Sequence, residues 1–194
     1  ASDVYKRQVL GTAMAICMIM VLVITFQVRL VDCEPEVNRS RTLYVPYMSV
    51  KQKGKPDNES ANSSMSVRTG RECFRALTTP EAVTLVSGAD KVRASVPAGP
   101  KATADMVQTD EAFWTVFSFH FLSGAGFTRA DCDAGLPRAV LSASIARQLF
   151  GTIDVVGHTV QLNYVDFTVT GVVADVSMLA TAAYAQIWVP YTCL

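Results

Sequence analysis

The clearest hydrophobic pattern in the chain is an uninterrupted apolar run near its N-terminus. Val9–Val28 reads VLGTAMAICMIMVLVITFQV and contains no charged residue. A helix rises about 1.5 Å per residue, so twenty helical residues span roughly the 30 Å hydrocarbon core of a bilayer. A water-soluble helix would show a polar face, which this run lacks. The sequence therefore predicts a transmembrane helix, which we bound at residues 9–30, and residues 1–8 are interpreted as a lead that need not be native.

Two cleavable signals compete with the transmembrane interpretation. A secretory signal has an apolar region of about 7–15 residues that ends in a small-x-small cleavage site. Phe26–Leu30 contains no such site. A lipoprotein signal would use Cys33, but Asp32 occupies the preceding position, where a small residue is expected. An uncleaved membrane helix is therefore favoured over both.

The charges that flank the apolar run predict its orientation. Lys6 and Arg7 precede it, while Arg29 follows it together with acidic residues at positions 32, 34 and 36. Positive residues are enriched on the cytoplasmic side of membrane helices. We therefore expect the N-terminus in the cytoplasm and residues 31–194 outside the membrane. The chain lacks an initial Met and stops just after an apolar strand-like run, which indicates a piece of a longer protein.

Beyond the apolar run, the patterning predicts a mixed α+β domain. Predicted strands are Thr42–Val50, Val83–Ser87, Val92–Val96, Ala102–Thr109, Ala139–Leu141, His158–Asn163, Phe167–Val173 and Ile187–Pro190. Predicted helices are Ser66–Leu77, a short helix capped by Asp110, and a helix that Ser142 caps and Gly151 ends. Asn163–Asp166 is expected to be the tip of a β-hairpin. Lys51–Ser64 has almost no apolar residue and predicts an exposed loop.

Composition narrows the function classes. Seventeen Lys and Arg balance seventeen Asp and Glu, and 18% of residues are charged, against about 25% in typical domains. No net positive charge attracts nucleic acid, so a nucleic-acid partner is not expected. The five cysteines form no CxxC pair and have no nearby His at a zinc spacing, which excludes a metal ribbon and a thioredoxin site. The odd count allows at most two disulfides outside the apolar run.

Motifs for covalent chemistry are missing from the sequence. No G-x-x-x-x-G-K-[ST] phosphate loop occurs, and Ser142 lies outside a G-x-S-x-G nucleophile elbow. His120 and His158 have no acidic or nucleophilic partner close in sequence, and Asp131–Asp133 lies in a polar stretch where its carboxylates are solvated. We therefore predict no catalytic, cofactor-binding or metal-binding residue, no cofactor, and a protein that is not an enzyme.

Four segments carry a family resemblance through their order and spacing. They are Gly124–Phe127 (GAGF), Ala139–Gly151 (AVLSASIARQLFG), Asp154–Gly157 (DVVG) and Phe167–Asp175 (FTVTGVVAD). With the apolar helix before them, they resemble the MacB-like periplasmic core domain of FtsX-type ABC transporter permeases. Two turns depart from the family pattern: Ala125 stands where a basic residue is common, and Asn163–Asp166 replaces the usual Asn-Gly hairpin tip.

The resemblance implies a permease subunit with four membrane helices and an outer domain between the first two. The chain would then be the first helix plus a periplasmic core domain, residues 31–194, that is incomplete at its C-terminus. The implied partners are a cytoplasmic ABC ATPase subunit that hydrolyses ATP, a second permease copy, the lipid bilayer and a periplasmic adaptor.

In such a permease the outer domain transmits ATP-driven motion to substrate export or to extracytoplasmic work. The implied location is the inner (cytoplasmic) membrane, crossed once by this chain, with the main domain in the periplasm. The transported substrate stays open. A single-pass membrane-anchored sensor or adhesion domain is the alternative, which composition alone supports equally well.

Overall fold

A computed structural model describes residues 2–51, 60–97 and 99–193. The helices are α1 Ser2–Leu30, α2 Val67–Thr69, α3 Phe113–Val116, α4 Arg129–Asp133 and α5 Ala143–Phe150. The strands are β1 Tyr47–Lys51, β2 Ser60–Ser64, β3 Asp90–Ser95, β4 Lys101–Thr109, β5 Phe121–Gly124, β6 Arg138–Ser142, β7 Thr159–Leu162, β8 Val165–Val173 and β9 Ile187–Pro190. Short 3-10 helices cover Arg39–Arg41 and Tyr191–Cys193, and a π-helical turn covers Gly70–Phe74. The predicted mixed α+β class is confirmed.

Helix α1 carries a candidate membrane span. Val4–Gln27 is long and apolar enough to cross a bilayer, with a hydropathy of 2.6, and none of its apolar window is buried inside the protein. The helix begins at Ser2, before the predicted start at residue 9, because Lys6, Arg7 and Gln8 are good helix formers and continue it. The apolar surface of α1 is therefore left for contacts outside the described chain.

Seven strands form one strongly curved sheet. Their order is β5-β8-β6-β9-β4-β3-β7. Strand β7, at one edge, also pairs with β8 near the other edge, so the sheet closes on itself. The β4–β9 and β6–β8 pairs are parallel and the other pairs are antiparallel. Strand β9, which matches its predicted bounds, lies between β4 and β6 at the centre. The separate β1–β2 pair is antiparallel.

Period-two alternation along the strands separates two hydrophobic cores. Leu141 and Ile187 face one core, which also receives the apolar side of α5 through Ile145. Their strand neighbours Val140 and Trp188 face the other core, which contains the aromatic side chains of α3 and its surroundings. Each face of the sheet centre is thus covered, and the sequence alternation accounts for both.

The segments with strong local signals fold as predicted. Helix α5 ends at Gly151, whose φ of 76° is left-handed and whose N–H donates to the carbonyl of Arg147. Strands β7 and β8 form the expected hairpin around a two-residue turn at Asn163 and Tyr164, which have φ of 46° and 72°. Positive φ at both central positions is typical of a type I′ turn, so the tip is tighter than the predicted four residues.

Asp110 does not cap α3, contrary to the prediction. The residue before α3 is Ala112, which makes no side-chain cap hydrogen bond. The buried carboxylate of Asp110 instead accepts from the Thr84 hydroxyl at 2.6 Å and from the Leu85 N–H at 3.2 Å. Burial raises the pKa of Asp110, and these hydrogen bonds oppose that effect.

The predicted strand Val83–Ser87 is also wrong. The Asp110 carboxylate binds this segment at the side of the sheet, where only Val86 forms an isolated bridge, to Thr109. At Leu85 a side-chain acceptor therefore replaces the backbone partner that a strand would need, while the Ser87 N–H donates to the Gln108 carbonyl of β4 at 2.9 Å.

The polar stretch before the main sheet also differs from the prediction. Strand β1 starts only at Tyr47, although Thr42–Val50 has strand composition throughout. Ser60–Ser64, predicted as loop, is strand β2 and pairs with β1 through backbone hydrogen bonds, which need no apolar side chain. The rest of the predicted loop, residues 52–59, lies outside the described residues. The helix predicted at Ser66–Leu77 is present as α2 and the π-helical turn that follows it.

Candidate functional site

The chain leaves α1 through a short segment, residues 31–41, which we call the joint. The joint is fastened to the seven-stranded sheet and the helices that pack on it, which together we call the β domain. The Val31 N–H donates to the carbonyl of Gln27 at 2.9 Å, so the joint starts from the last turn of the helix. Cys33 and Glu36 then pair across a tight turn by two backbone hydrogen bonds. The buried Pro35 accepts from the Ser118 N–H at 3.0 Å. The joint is therefore an ordered connection between the helix and the domain.

Glu36 is the central acidic residue of the joint and is only 5% exposed. Its Oε1 accepts from the backbone N–H groups of Ala182, at 2.8 Å, and Ala183, at 3.0 Å. Its Oε2 accepts from the Arg39 Nε at 2.8 Å. A buried carboxylate is costly unless it is paired and hydrogen-bonded, and here both oxygens are satisfied. Glu36 thus fixes the joint to the loop between β8 and β9.

Arg39 connects three parts of the molecule. Its guanidinium donates to the Val31 carbonyl at 3.1 Å and to the Leu179 carbonyl, besides the ion pair with Glu36. Its backbone N–H donates to the Asp32 carboxylate at 3.1 Å. The planar guanidinium can serve several acceptors in fixed directions, which a lysine cannot. The end of α1, the joint and the β8–β9 loop are therefore held by one side chain.

Tyr44 lies within the electrostatic field of the joint. Burial raises the pKa of its phenol, the negative charge of Glu36 raises it further, and the positive charge of Arg39 lowers it. The hydroxyl consequently stays neutral at physiological pH.

The residues weighed as catalytic candidates lie apart from the joint. His120 and His158 are both exposed; the backbone carbonyl of His120 accepts from Ala174, and the ring of His158 meets the Phe150 ring edge-on at 5.8 Å. Among the described residues, no three His, Cys, Asp or Glu side chains group as metal ligands. The prediction that the chain holds no catalytic, cofactor-binding or metal-binding residue stays a prediction.

The Asp131–Asp133 segment, weighed as a weak metal site, has structural roles in α4. Asp131 forms a capping box with Thr128, and its pKa is lowered by hydrogen bonds from the Thr128 side chain and backbone. Burial, followed by the charge of Glu111, raises the pKa of the Cys132 thiol to about 12. Asp133 pairs with Arg129 at 3.6 Å.

Ser142 stands at the N-cap position of α5, as predicted, but its side chain does not cap the helix. The Ser144 N–H donates instead to the carboxylate of Asp175 at 2.9 Å, and the Ser142 Oγ lies 3.1 Å from the Ser144 Oγ. These side chains line a small cavity of about 70 Å³ together with Tyr184. Asp175 is therefore the capping residue that the sequence reasoning missed.

Sequence reasoning also missed the joint. The sequence marks Glu36 only as one of the acidic residues that follow the apolar run. The two backbone N–H groups that its carboxylate binds lie 146 and 147 positions further along the chain. The opposite charges of Glu36 and Arg39 at i and i+3 were the one local signal.

Comparisons with known proteins point to one family. A family model described as the MacB-like periplasmic core domain matches residues 9–194. The extracellular domain of the noncanonic ABC-type transporter YknZ from Gram-positive bacteria is similar with a TM-score of 0.50 and 17% identity, over 60% of this chain and 58% of that chain. The periplasmic region of MacB from Actinobacillus actinomycetemcomitans gives a TM-score of 0.48 and 22% identity, over 59% of this chain and 51% of that chain.

The chain thus spans 58% and 51% of the lengths of these two solved relatives. The likeness to the YknZ domain supports the fold described above. A comparison with curated proteins gives no match.

Proposed function

The chain belongs to the family of MacB-like periplasmic core domains, and we propose that it is the first membrane helix and outer domain of an ABC transporter permease. In this proposal α1 crosses the inner membrane, residues 31–194 lie in the periplasm, and a cytoplasmic ATPase subunit supplies the energy. The outer domain transmits the resulting motion to substrate export or other work outside the membrane. A second permease copy and a periplasmic adaptor complete the assembly. The chain itself performs no covalent chemistry.

The joint is the observation that carries this proposal. A lever must pass displacement to its load, and a loose linker would absorb it. Here the Arg39 guanidinium binds the Val31 carbonyl at the helix end, and Glu36 binds the amides of Ala182 and Ala183 in the β8–β9 loop. That loop leads directly into β9 at the centre of the sheet. A shift of α1 is therefore passed to the middle of the domain through hydrogen bonds rather than through a flexible tether.

The proposed topology can be tested with the native thiols. Cys73 is exposed on the outer domain, and Cys17 lies within α1. In intact spheroplasts, a membrane-impermeant maleimide should label Cys73 and leave Cys17 unlabelled because the bilayer shields it. Labelling of Cys73 only after lysis would contradict the proposed orientation.

The proposed transmission can be tested in the full-length permease purified with its ATPase. Glu36→Ala should lower ATP-driven transport while ATP binding by the complex is unchanged, because it loosens the joint and leaves the ATPase intact. Glu34→Ala is the matched control, since Glu34 is an exposed carboxylate in the same turn. Unchanged transport by the Glu36→Ala complex would contradict a role for the joint.

Nucleotide binding separates the permease from the sensor alternative. Titration of this chain with Mg-ATP should give no heat of binding, because the sequence contains no phosphate loop. Micromolar affinity in the chain, or a full-length protein that is active without an ATPase partner, would contradict the proposal and favour the sensor.

A further inference from the structure

The loop between β8 and β9 carries two exposed apolar side chains at its tip. Met178 is 74% exposed and Leu179 is 54% exposed. They are the central residues of a turn in which the Ala180 N–H donates to the Ser177 carbonyl at 3.0 Å. Gly, Pro, Asn, Asp and Ser dominate turns for reasons of backbone geometry, so neither Met178 nor Leu179 is a residue that the turn itself favours. A Met-Leu pair at a turn tip is therefore suited to an apolar environment.

The joint places this turn at the level of the outer end of α1. The two terminal nitrogens of the Arg39 guanidinium donate one to the Val31 carbonyl and the other to the Leu179 carbonyl, so both carbonyls lie within hydrogen-bond distance of one side chain. Val31 is itself an exposed apolar residue. The backbone of the Met178–Leu179 turn is therefore held to the same guanidinium as the backbone of Val31, beside the helix end.

The depth of this region follows from the geometry of the helix. The candidate span ends at Gln27, and Val31 is four residues further along the last turn. At about 1.5 Å per residue, Val31 lies about 6 Å beyond the end of the span. The headgroup layer extends about 5–7 Å beyond the hydrocarbon core on each side. The turn is consequently at the depth of the membrane–water interface.

We propose that Met178 and Leu179 enter the membrane–water interface on the periplasmic side of the inner membrane. There they form a second lipid contact of the domain, beside α1. The inference rests on the proposed function in one respect, namely that α1 spans the bilayer. The partner at this surface is lipid, because Arg39 holds the turn beside the end of a helix whose apolar faces are already unburied. Tyr44, which lies close to the charges of Glu36 and Arg39, adds a residue type that is enriched at such interfaces.

Tryptophan quenching in lipid nanodiscs tests the contact with the full chain. We would prepare Met178→Trp and use lipids brominated near the top of the acyl chains, subtracting the signal of the parent chain, which contains Trp114 and Trp188. The control is Tyr164→Trp, because Tyr164 is 81% exposed at the β7–β8 turn. That turn is at the opposite end of β8, about 26 Å away along the strand. Phe26→Trp reports on the helix itself.

The expected result is quenching of Met178→Trp by at least half of the fraction seen for Phe26→Trp, with little quenching of Tyr164→Trp. Quenching of Met178→Trp that equals the Tyr164→Trp value, while Phe26→Trp is quenched, would overturn the lipid contact and leave the membrane anchor standing. An emission shifted to the blue without quenching would overturn it in favour of a protein contact. Absence of quenching from both Phe26→Trp and Met178→Trp would overturn the anchor as well.

Discussion

Replacing Glu36 by alanine should lower the free energy that is needed to open the joint locally, and the structure allows the size of this loss to be worked out. The substitution removes the acceptor of two backbone N–H groups and the partner of a guanidinium that is only 11% exposed. Hydrogen bonds to charged groups contribute about 1.5–3 kcal/mol each, and removing one partner of a buried ion pair costs about 3–5 kcal/mol. The joint lies at the edge of the domain and can admit water when it opens, so the expected loss is about 3 kcal/mol, the lower end of that range.

Hydrogen exchange measures this opening directly at the affected amides. A loss of about 3 kcal/mol corresponds to roughly a hundredfold faster exchange of the Ala182 and Ala183 amides, because every 1.4 kcal/mol is tenfold. Glu36→Gln keeps one oxygen acceptor but turns an amide group towards Arg39, so an increase of roughly tenfold is expected. The full chain in detergent is suitable, because the parent and each variant are measured under the same conditions.

Two observations would refute the reasoning about Glu36. The first is an increase of less than about threefold at Ala182 and Ala183 in Glu36→Ala, which corresponds to less than about 0.7 kcal/mol. The second is a matching increase in Glu34→Ala, whose exposed side chain lies in the same turn. Exchange of the Val189 amide in β9 should stay unchanged, which shows that the domain remains folded.

Three further predictions concern the stability of the β domain in urea unfolding. Asp175→Ala should cost about 1 kcal/mol through the lost α5 cap, and Ser142→Ala less than half of that; the reverse order would contradict the assignment. Gly151→Ala should cost about 1 kcal/mol, because Gly151 has a φ of +76° but an added Cβ would meet open space. Gly124→Ala should cost at least about 3 kcal/mol, because Gly124 has a φ of +67° and an added Cβ would lie 2.2 Å from a strand carbonyl. Equal losses of stability in the two variants would be contrary evidence. Because the pKa of Asp131 is lowered, its contribution to stability is complete above pH 3.8 and is lost as the pH falls through the folded-state pKa. The difference in free energy of unfolding between Asp131→Asn and the parent should therefore shrink between pH 7 and pH 2 rather than stay constant.

The parts of the fold that sequence alone could predict are those specified by neighbouring residues. Helix α5 has an apolar face at helical spacing and Gly151 directly after it, and both signals lie within ten residues. Strand β9 is a short apolar run that ends at a proline. Local propensity and tertiary packing agree at these positions, so pattern reasoning gives their bounds closely.

The parts that failed depend on partners that are distant in sequence. Asp110 precedes a helix and has the chemistry of a cap, but Thr84 and Leu85 bind its carboxylate in the fold. Asp175 caps α5 from 31 positions away, in competition with the serine that local rules favour. Ser60–Ser64 becomes a strand through backbone pairing with β1, which side-chain composition does not report.

The candidate site shows the same limit more strongly. Glu36 and Arg39 are ordinary charges in the sequence, and their importance comes from burial against the β8–β9 loop. No periodicity or motif in the sequence marks a carboxylate that accepts hydrogen bonds from backbone N–H groups more than 140 positions away. The family resemblance gave the class of protein, whereas the joint required the three-dimensional structure.

The central position of β9 determines when the described seven-stranded sheet can form during biosynthesis. Met106 in β4 pairs with Ile187 in β9, and Leu141 in β6 pairs with the same residue. Neither neighbour reaches its final partner until the ribosome has released Ile187–Pro190, which are the last strand residues of the described chain. Until then, β4 and β6 present unpaired edges, which are sites of wrong pairing and aggregation. A nascent chain stalled before β9 is therefore expected to need protection by chaperones, even though the other strands of the described sheet have already been made.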